Sequence, residues 1–456
     1  MDKYDIIVVG ASTTGCWFAE RMARNGFNVL VIEKEVEEKV SRAYDIFHMG
    51  EDEMKQYDLL IPSEDSPVRE FRFESSDMVS PYGKTRIKGG YSPVIGMHKH
   101  DYIMLMAQRA KESGAVIEYG ASFVDFLYDD NKKINGITYS SGRKKIKAQA
   151  SLVADCSGIP SVARTKLPNT SIVENFPLTP KDILYVVLYY VKYKDESINP
   201  SDLNGFYMQY KSWFAPAGEG YDGLLGIGAF CSYKSAEKIY KEDFCPNAQV
   251  PEYTLLKTEK GMTPYHRTLY STVDNGFIAM GDTAFLTKPT CGEGCTSSLA
   301  HGEIAVKVIS QLLKENKPLT RENLWSINTE YMRTQGKEFD SMRALLKGII
   351  SISYEEAEYL FNNEIIFSSK ILGGINDGIQ LGAGDIAKII SGITKGIAKG
   401  NIKASTVKNL VKALSQSGEV TKLYETYPES PEGFFAWKDK ADKLWQQIGK
   451  LSDGCK

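Results

Sequence analysis

Residues 276–302 read GFIAMGDTAFLTKPTCGEGCTSSLAHG, and the order of residue types in this stretch sets the expectation for the whole chain. The apolar run Phe277–Met280 predicts a short buried strand that ends at Gly281-Asp282. A loop follows with Pro289 and the turn Gly292-Glu293-Gly294, and a helix is expected from about Thr296. Asp282, just past the strand, is placed to accept hydrogen bonds from the hydroxyls of a polyol chain. The Gly-x-Gly turn lets a ligand come close to the first amides of the helix, whose partial positive charge favours an anion. The same residues also suit an ordinary strand–loop–helix connection, so the amino terminus has to decide.

There, Asp5–Val9 reads as a buried parallel strand followed by Gly10-Ala11-Ser12-Thr13-Thr14-Gly15. An amphipathic helix is predicted to run to Asn25-Gly26, a natural stop, and a second strand, Val29–Ile32, ends at Glu33. This is the pattern of a βαβ unit for an ADP moiety: a tight turn, a pyrophosphate at the helix start and an acid on the ribose hydroxyls. Ser12 stands where the usual pattern has its second glycine, and it fits if its φ is negative and its hydroxyl points away. Midway along the chain, Leu152-Val153-Ala154-Asp155-Cys156-Ser157-Gly158 is another apolar strand leading into a turn, followed by Ser161 and Arg164. Three dinucleotide-type segments so far apart imply one flavin domain interrupted by insertions.

On these residues the chain resembles the geranylgeranyl reductase family, within the wider p-hydroxybenzoate hydroxylase-like FAD superfamily. The superfamily likeness covers about the first three hundred residues. It rests on Gly10/Gly15/Glu33, on Asp155-x-x-Gly158-x-x-Ser161-x-x-Arg164, and on Gly281-Asp282 with Pro289-x-x-Gly292-x-Gly294. The narrower likeness rests on Tyr210-Lys211-Ser212-Trp213-Phe214-Ala215-Pro216 with Gly226-Ile227-Gly228, which is similar to an aromatic substrate-cavity motif with one extra residue in the spacing. Gly261–Arg267 and Leu423–Pro428 add to it, as a returning strand and a carboxy-terminal tail. The resemblance implies FAD held by Gly10, Ser12, Thr13, Thr14, Gly15, Glu33, Lys34, Arg42, Lys99, Asp155, Gly158, Gly281, Asp282, Pro289, Gly292, Glu293 and Gly294. It also implies hydride transfer from reduced flavin to a carbon–carbon double bond of an isoprenoid.

Two departures from the family pattern stand out. Many members carry a cysteine-glycine pair beyond the ribose-binding acid, whereas this chain reads Ser41-Arg42-Ala43-Tyr44-Asp45-Ile46-Phe47-His48. Lys99 replaces a usual arginine, keeping the charge but losing the bidentate fork. Candidates for the proton step are therefore His48, Asp45, Tyr44, Cys291 and Cys295. The two cysteines flank the Gly-x-Gly turn and read either as a redox or proton-donating pair or as small residues filling a tight turn. A lone Cys-x-x-x-Cys with only His301 nearby does not make a zinc site, and no metal is expected.

A chain of 456 residues normally holds two or three domains. The expected fold is α/β: a Rossmann-like FAD-binding domain with an inserted antiparallel β-sheet substrate domain and a C-terminal helical region. Residues 1–170 form the first flavin segment, with an excursion over about 50–95 that covers the cofactor. Residues 171–270 form the β-rich insertion, 271–315 complete the flavin domain, and 316–456 are helical. Within the insertion, Ile183–Tyr193, Gly205–Phe214 and Leu224–Phe230 are dense in β-branched and aromatic residues. Their sheet is expected to roof a substrate cavity lined by Tyr185, Tyr207, Tyr210, Trp213 and Phe214, each of which also suits plain core packing.

Net charge is −3, which argues neither for nucleic acid nor for an acidic polymer. The seven scattered cysteines point to a reducing cytoplasm, and neither a secretory signal nor a membrane-spanning run is apparent. From Ile371 to Gln416 a glycine-rich apolar stretch becomes regularly basic (Lys388, Lys395, Lys399, Lys403, Lys408, Lys412). That pattern suits either a solvated helix face or peripheral contact with anionic lipid on the inner face of a membrane. With no second dinucleotide motif, electrons are expected from a transient donor, NAD(P)H or ferredoxin. A flavin monooxygenase is the competing enzyme reading, and a prenyl-lipid carrier on an FAD-type fold is the competing non-enzyme reading. A halogenase is disfavoured because its lysine-tryptophan motif has no clear counterpart.

Overall fold

The structure, a computed structural model, describes residues 1–42, 46–195, 197–198, 203–207, 210–368 and 383–454. Strand Asp2–Val9 is buried over its last four residues and pairs in parallel with Val29–Glu33 on one side and Lys144–Asp155 on the other. Val116–Tyr119 extends the sheet beyond Val29–Glu33, and Phe277–Ala279 joins beyond Lys144–Asp155, both in parallel. Parallel strands covered on both faces need apolar residues on both, which is why these runs are nearly continuous in Val, Ile, Leu and Ala. An antiparallel hairpin, Ala121–Tyr128 and Ile134–Ser141, attaches to Lys144–Asp155.

Helices Thr13–Arg24, Lys99–Glu112 and Ser297–Lys314 cover one face of this sheet, burying Trp17, Phe18, Tyr102, Leu299 and Ile309. Two of them approach closely at Gly302, where a β-carbon would lie 2.7 Å from the Trp17 ring. The other face is covered by carboxy-terminal segments that bury Trp325, Tyr331, Tyr424, Tyr427, Phe434 and Trp437. Tyr427 closes this layer by donating its hydroxyl to the Tyr270 carbonyl at 2.7 Å.

The second sheet has eight strands. Their order is Tyr253–Pro264, Ile183–Tyr193, Gly223–Phe230, Lys211–Ala215, Leu203–Tyr207, Arg69–Val79, Arg86–His98 and Ile46–Gly50. It does not coincide with residues 171–270. Three of its strands come from residues 46–98, so the expected covering excursion is instead part of the sheet. The sheet is antiparallel except where Leu203–Tyr207 runs parallel to Arg69–Val79. The expected single run Gly205–Phe214 is divided between two strands paired as a hairpin, with Asn204 opposite Phe214.

The helical periodicity over Thr320–Leu345 is interrupted. Helices Arg321–Tyr331 and Lys337–Ile349 are separated by a π-turn at Met332–Gly336, in which Thr334 has non-helical φ −112° and ψ −108°. Farther on, helices Ala383–Ala398 and Ala404–Glu425 carry the basic stretch, while residues 371–382 of it lie outside the described residues. No helix among the described residues is long and apolar enough to cross a membrane.

The segment that returns from the second sheet to the first is fixed by an almost buried ion pair. Arg267 donates both terminal nitrogens to Glu174, at 2.9 and 2.6 Å, and Tyr270 N adds a third bond at 3.0 Å. Burial alone would raise the Glu174 carboxyl; the Arg267 charge and hydrogen bonds outweigh it and bring the group from 4.5 down to about 2. A depressed carboxylate stabilises the fold above its unfolded value and ceases to do so as pH falls through the folded one. Wild-type protein should therefore lose about 3 kcal/mol between pH 4.5 and 2 through this group. Glu174→Gln should lack that acid-dependent loss and be less stable by about 3 kcal/mol at neutral pH. Urea unfolding across pH checks both; equal stability of the two proteins at neutral pH would contradict the role given to this pair.

Candidate functional site

The first turn is built by exclusion of side chains. Gly10 has φ +104°, and a β-carbon there would lie 2.7 Å from the Cys156 carbonyl oxygen. A β-carbon on Gly15 would lie 2.1 Å from the Gly10 oxygen. Ser12 has φ −80°, and its hydroxyl accepts from Gly15 N at 3.1 Å, so it caps the helix that Thr13 begins. Thr14 packs on Gly281, whose own β-carbon position is 3.1 Å from the Thr14 hydroxyl. Glu33 ends its strand with one carboxylate oxygen accepting from Ala11 N at 2.9 Å and the other from Glu35 N at 3.0 Å. Lys34 is exposed beside Glu35, and Arg42 turns back to donate to the Glu38 carbonyl at 2.6 Å, so neither is brought to the turn. Tyr44 and Asp45 lie outside the described residues.

The Asp155 carboxylate is fully buried and knits its own turn. It accepts from Ser157 N at 3.0 Å, Ala163 N at 3.0 Å and Arg164 N at 2.7 Å. Gly158 N then donates to the Thr283 hydroxyl at 3.1 Å, which ties this turn to Gly281-Asp282. Asp282 accepts from the Thr287 hydroxyl at 3.3 Å and faces Gly294, where a β-carbon would lie 2.8 Å from its Oδ1. Burial raises the Asp282 carboxyl, and the Lys99 charge pulls it back. Lys99 acts in the same direction on Cys295, whose thiol is hydrogen-bonded to Thr13. Thr13, Lys99, Asp282, Gly294 and Cys295 thus meet in one place from four separate parts of the sequence.

The loop from Thr287 to Thr296 is held from outside by several elements. Pro289 O accepts from the Tyr265 hydroxyl, and Gly292 O from the Thr263 hydroxyl at 3.2 Å. Glu53, on the short helix Glu51–Gln56, accepts from Lys288 Nζ at 3.3 Å and from the Thr296 hydroxyl at 2.7 Å. His48 Nε2 lies 3.1 Å from Glu293 Oε1. Burial opposes ionisation of Glu293, but the His48 hydrogen bond and charge, with the charges of Lys288 and Lys211, hold it well below the usual carboxylate range. Burial pushes the Cys291 thiol up to about 12 and the Cys295 thiol up to about 11, and both are free.

Side-chain alternation divides the expected aromatic lining between two faces. Trp213 packs with Phe71, Phe73, Leu188, Tyr190 and Tyr265, on the face that meets the Pro289–Gly294 turn. It lies flat across Gly226, its cross-strand partner, where a β-carbon would be 2.0 Å from the ring. Lys211 lies over the same ring at 4.9 Å and reaches to 3.6 Å from the β-carbon position of Gly292. The opposite face takes Tyr185, edge-on to Tyr233 at 5.0 Å, and Phe214, against Phe206 at 4.8 Å. Tyr210 also packs into that second cluster, and the side chain of Tyr207 lies outside the described residues.

Sequence reasoning did not single out Glu53, Lys288, Lys211, Thr263, Tyr265, Phe71 or Phe73 as site residues. Thr263, Tyr265 and Lys211 lie inside motifs quoted for the family likeness, so that signal was available for them. Nothing in the sequence marks Glu53.

No protein-family model matches the chain. The digeranylgeranylglycerophospholipid reductase of Sulfolobus acidocaldarius is 22% identical over 98% of both chains. Among solved structures, a geranylgeranyl bacteriochlorophyll reductase-like protein of Thermoplasma acidophilum superposes with a TM-score of 0.70 at 18% identity. That match covers 88% of this chain and all of the other. The myxobacterial chondrochloren halogenase CndH, a variant of the FAD-dependent halogenases, matches with a TM-score of 0.57 at 15% identity, over 88% of this chain and 98% of its own.

Proposed function

We propose that this chain, a member of the geranylgeranyl reductase family of FAD-dependent oxidoreductases, saturates carbon–carbon double bonds of an isoprenoid lipid. FAD, when bound and reduced, supplies the hydride for that reaction. The observation that carries the reading is the meeting of an apolar aromatic face (Phe71, Phe73, Trp213) with the Gly292-Glu293-Gly294 turn of the dinucleotide frame. The full-length likeness to an archaeal lipid reductase supports the same substrate class.

The residues present fit FAD. At Gly10, Gly15 and Gly294 any β-carbon would collide with backbone or carboxylate, which leaves these turns bare for a ligand. Asp282 Oδ2 takes no hydrogen bond from the described residues and suits a polyol hydroxyl. The Gly10–Gly15 turn and the capped start of the helix would hold the pyrophosphate, Glu33 the ribose, Asp282 the polyol and Gly292–Gly294 the ring. Around the ring, Trp213 and Phe73 exclude water and give an apolar chain a surface to lie on. Electrons arrive from a transient carrier, NAD(P)H or a ferredoxin.

A lipid substrate also calls for a route from the bilayer. Helices Ala383–Ala398 and Ala404–Glu425 expose Ile390, Ile397, Val411 and Leu414. Ile390 and Ile397 are two turns apart on the first helix, which also exposes Lys395, and Lys399, Lys403, Lys408 and Lys412 are exposed after it and along the second. Exposed apolar side chains interspersed in sequence with exposed lysines suit the surface of an anionic bilayer, with the chain peripheral on its cytoplasmic face.

The activity is tested by incubating dithionite-reduced holoenzyme with an unsaturated archaeal-type phospholipid without oxygen. The product should gain about two mass units per reduced bond, from one hydride and one proton. An unchanged lipid, together with hydroxylation of an added aromatic once oxygen is admitted, would favour the monooxygenase reading that the halogenase likeness keeps in view. Membrane contact is tested by co-sedimentation. Binding to vesicles containing phosphatidylglycerol should be strong, absent from purely zwitterionic vesicles, reduced by salt, and abolished by replacing Lys395, Lys399, Lys408 and Lys412 with Glu. Equal binding by that variant would refute the surface.

A further inference from the structure

We propose that His48 gives the alkene its proton, held for that task by Glu293, an assignment that rests on the reductase reading. His48 lies on Ile46–Gly50, the outermost strand of the second sheet, and this strand borders the flavin-type loop. Its Nε2 is 3.1 Å from Glu293 Oε1, and Glu293 is the middle residue of the Gly292-Glu293-Gly294 turn where the ring is to be held. The two residues are 245 positions apart in sequence, so the fold, not the local chain, makes the pair. The imidazole is edge-on to Phe73 at 6.2 Å, which places it in the same apolar wall that Trp213 extends. Its other nitrogen, Nδ1, has no hydrogen-bond partner among the described residues. A histidine fixed by a carboxylate on one nitrogen and open on the other is arranged to hold a proton and release it.

The surrounding charges favour this use. Lys288 is engaged by Glu53, and Lys211 lies over Trp213, so both bring positive charge near Glu293, whose carboxylate is hydrogen-bonded, among the described residues, to His48. Glu293 is accordingly held well below the usual carboxylate range and stays ionised opposite the His48 ring. The two cysteines hold their protons tightly: burial pushes Cys291 up to about 12 and Cys295 up to about 11. The side chain of His48 is 29% exposed, which leaves a route for water to return the proton.

The π bond of the alkene breaks, and one carbon forms a C–H bond with the hydride supplied by reduced FAD, which is thereby oxidised by two electrons. The other carbon forms a C–H bond with the proton leaving His48 Nδ1. His48 becomes neutral, Glu293 remains a carboxylate, and solvent reprotonates the ring.

The test is single-turnover alkene reduction by reduced holoenzyme, comparing wild type, His48→Ala and the near-isosteric His48→Gln. Both variants should retain flavin, as read from visible absorbance, and should still bind the lipid. Their turnover should fall about 100-fold or more, the usual worth of a positioned general acid. Added imidazole should restore much of the rate to His48→Ala, where the ring leaves a space, and none to His48→Gln. Undiminished turnover in His48→Ala, or full activity in His48→Gln, would overturn the assignment while leaving the reductase reading intact. A wild-type enzyme whose reduced flavin ignores the alkene would overturn both.

Discussion

The turn at Gly292-Glu293-Gly294 is closed locally, by Lys288 N on the Glu293 carbonyl and Gly292 N on the Lys288 carbonyl, both at 2.8 Å, and it is clamped from outside by distant parts of the chain. Its carbonyls and those beside it are taken up from both sides. Thr263 of the second sheet and Tyr265 just past its strand bind Gly292 and Pro289, and Arg343 and Gln335 of the carboxy-terminal helices bind Thr287 and Ser297. Gln335 sits within the π-turn that breaks the helical run, so the irregularity at Thr334 coincides with the place where that layer touches the loop. A glycine-bearing loop has little apolar surface with which to fix itself, and buried backbone groups left unpaired are costly. The clamp therefore ties two sheets and a helical layer to one loop. Moving any of them moves the floor on which a cofactor ring would rest.

Charge is arranged around the same loop. Glu293 faces His48, Lys288 and Lys211, while Asp282 faces Lys99. Each carboxylate is half-buried in a site with limited access to water, where opposite charges a few ångströms away are worth more than at the surface. The aromatic face that completes the site carries Lys211 along the Trp213 ring, and its other charges, Glu259 and Lys257, are engaged with Tyr190 and with each other. The result is a polar rim on the side of the dinucleotide frame and an apolar wall on the side of the second sheet. Such a division suits a long hydrocarbon that must present one double bond to a fixed hydride donor.

The parts of this arrangement set by local sequence were legible. The turn from Gly10 to Gly15, the strand ending at Glu33 and the strand Ile183–Tyr193 follow from residue type and period alone, and the structure gives the last of these the same limits. What depends on pairing between distant strands was not. Strands Arg69–Val79 and Arg86–His98 fall almost wholly within the excursion expected over about 50–95, and only their pairing with Leu203–Tyr207 and with each other makes them part of the second sheet. Tyr185, Tyr210 and Phe214 are aromatic like Trp213, but the period of two puts them on the other face, and no composition argument can say which face meets the loop. His48 was legible as a residue type near a missing cysteine. Its partner was not, because Glu293 is brought to it only when the outer strand of one sheet borders the loop of the other.

Whether the reduced cofactor at this junction reacts with an alkene or with oxygen separates a reductase from a monooxygenase. The most direct measurement is rapid mixing of dithionite-reduced holoprotein with an unsaturated prenyl phospholipid under argon, following the visible flavin absorbance. The account predicts that the oxidised bands return in a single phase whose rate rises with lipid concentration and that the saturated lipid produces no return. Flavin that stays bleached with the alkene and recovers only when oxygen is admitted would contradict it.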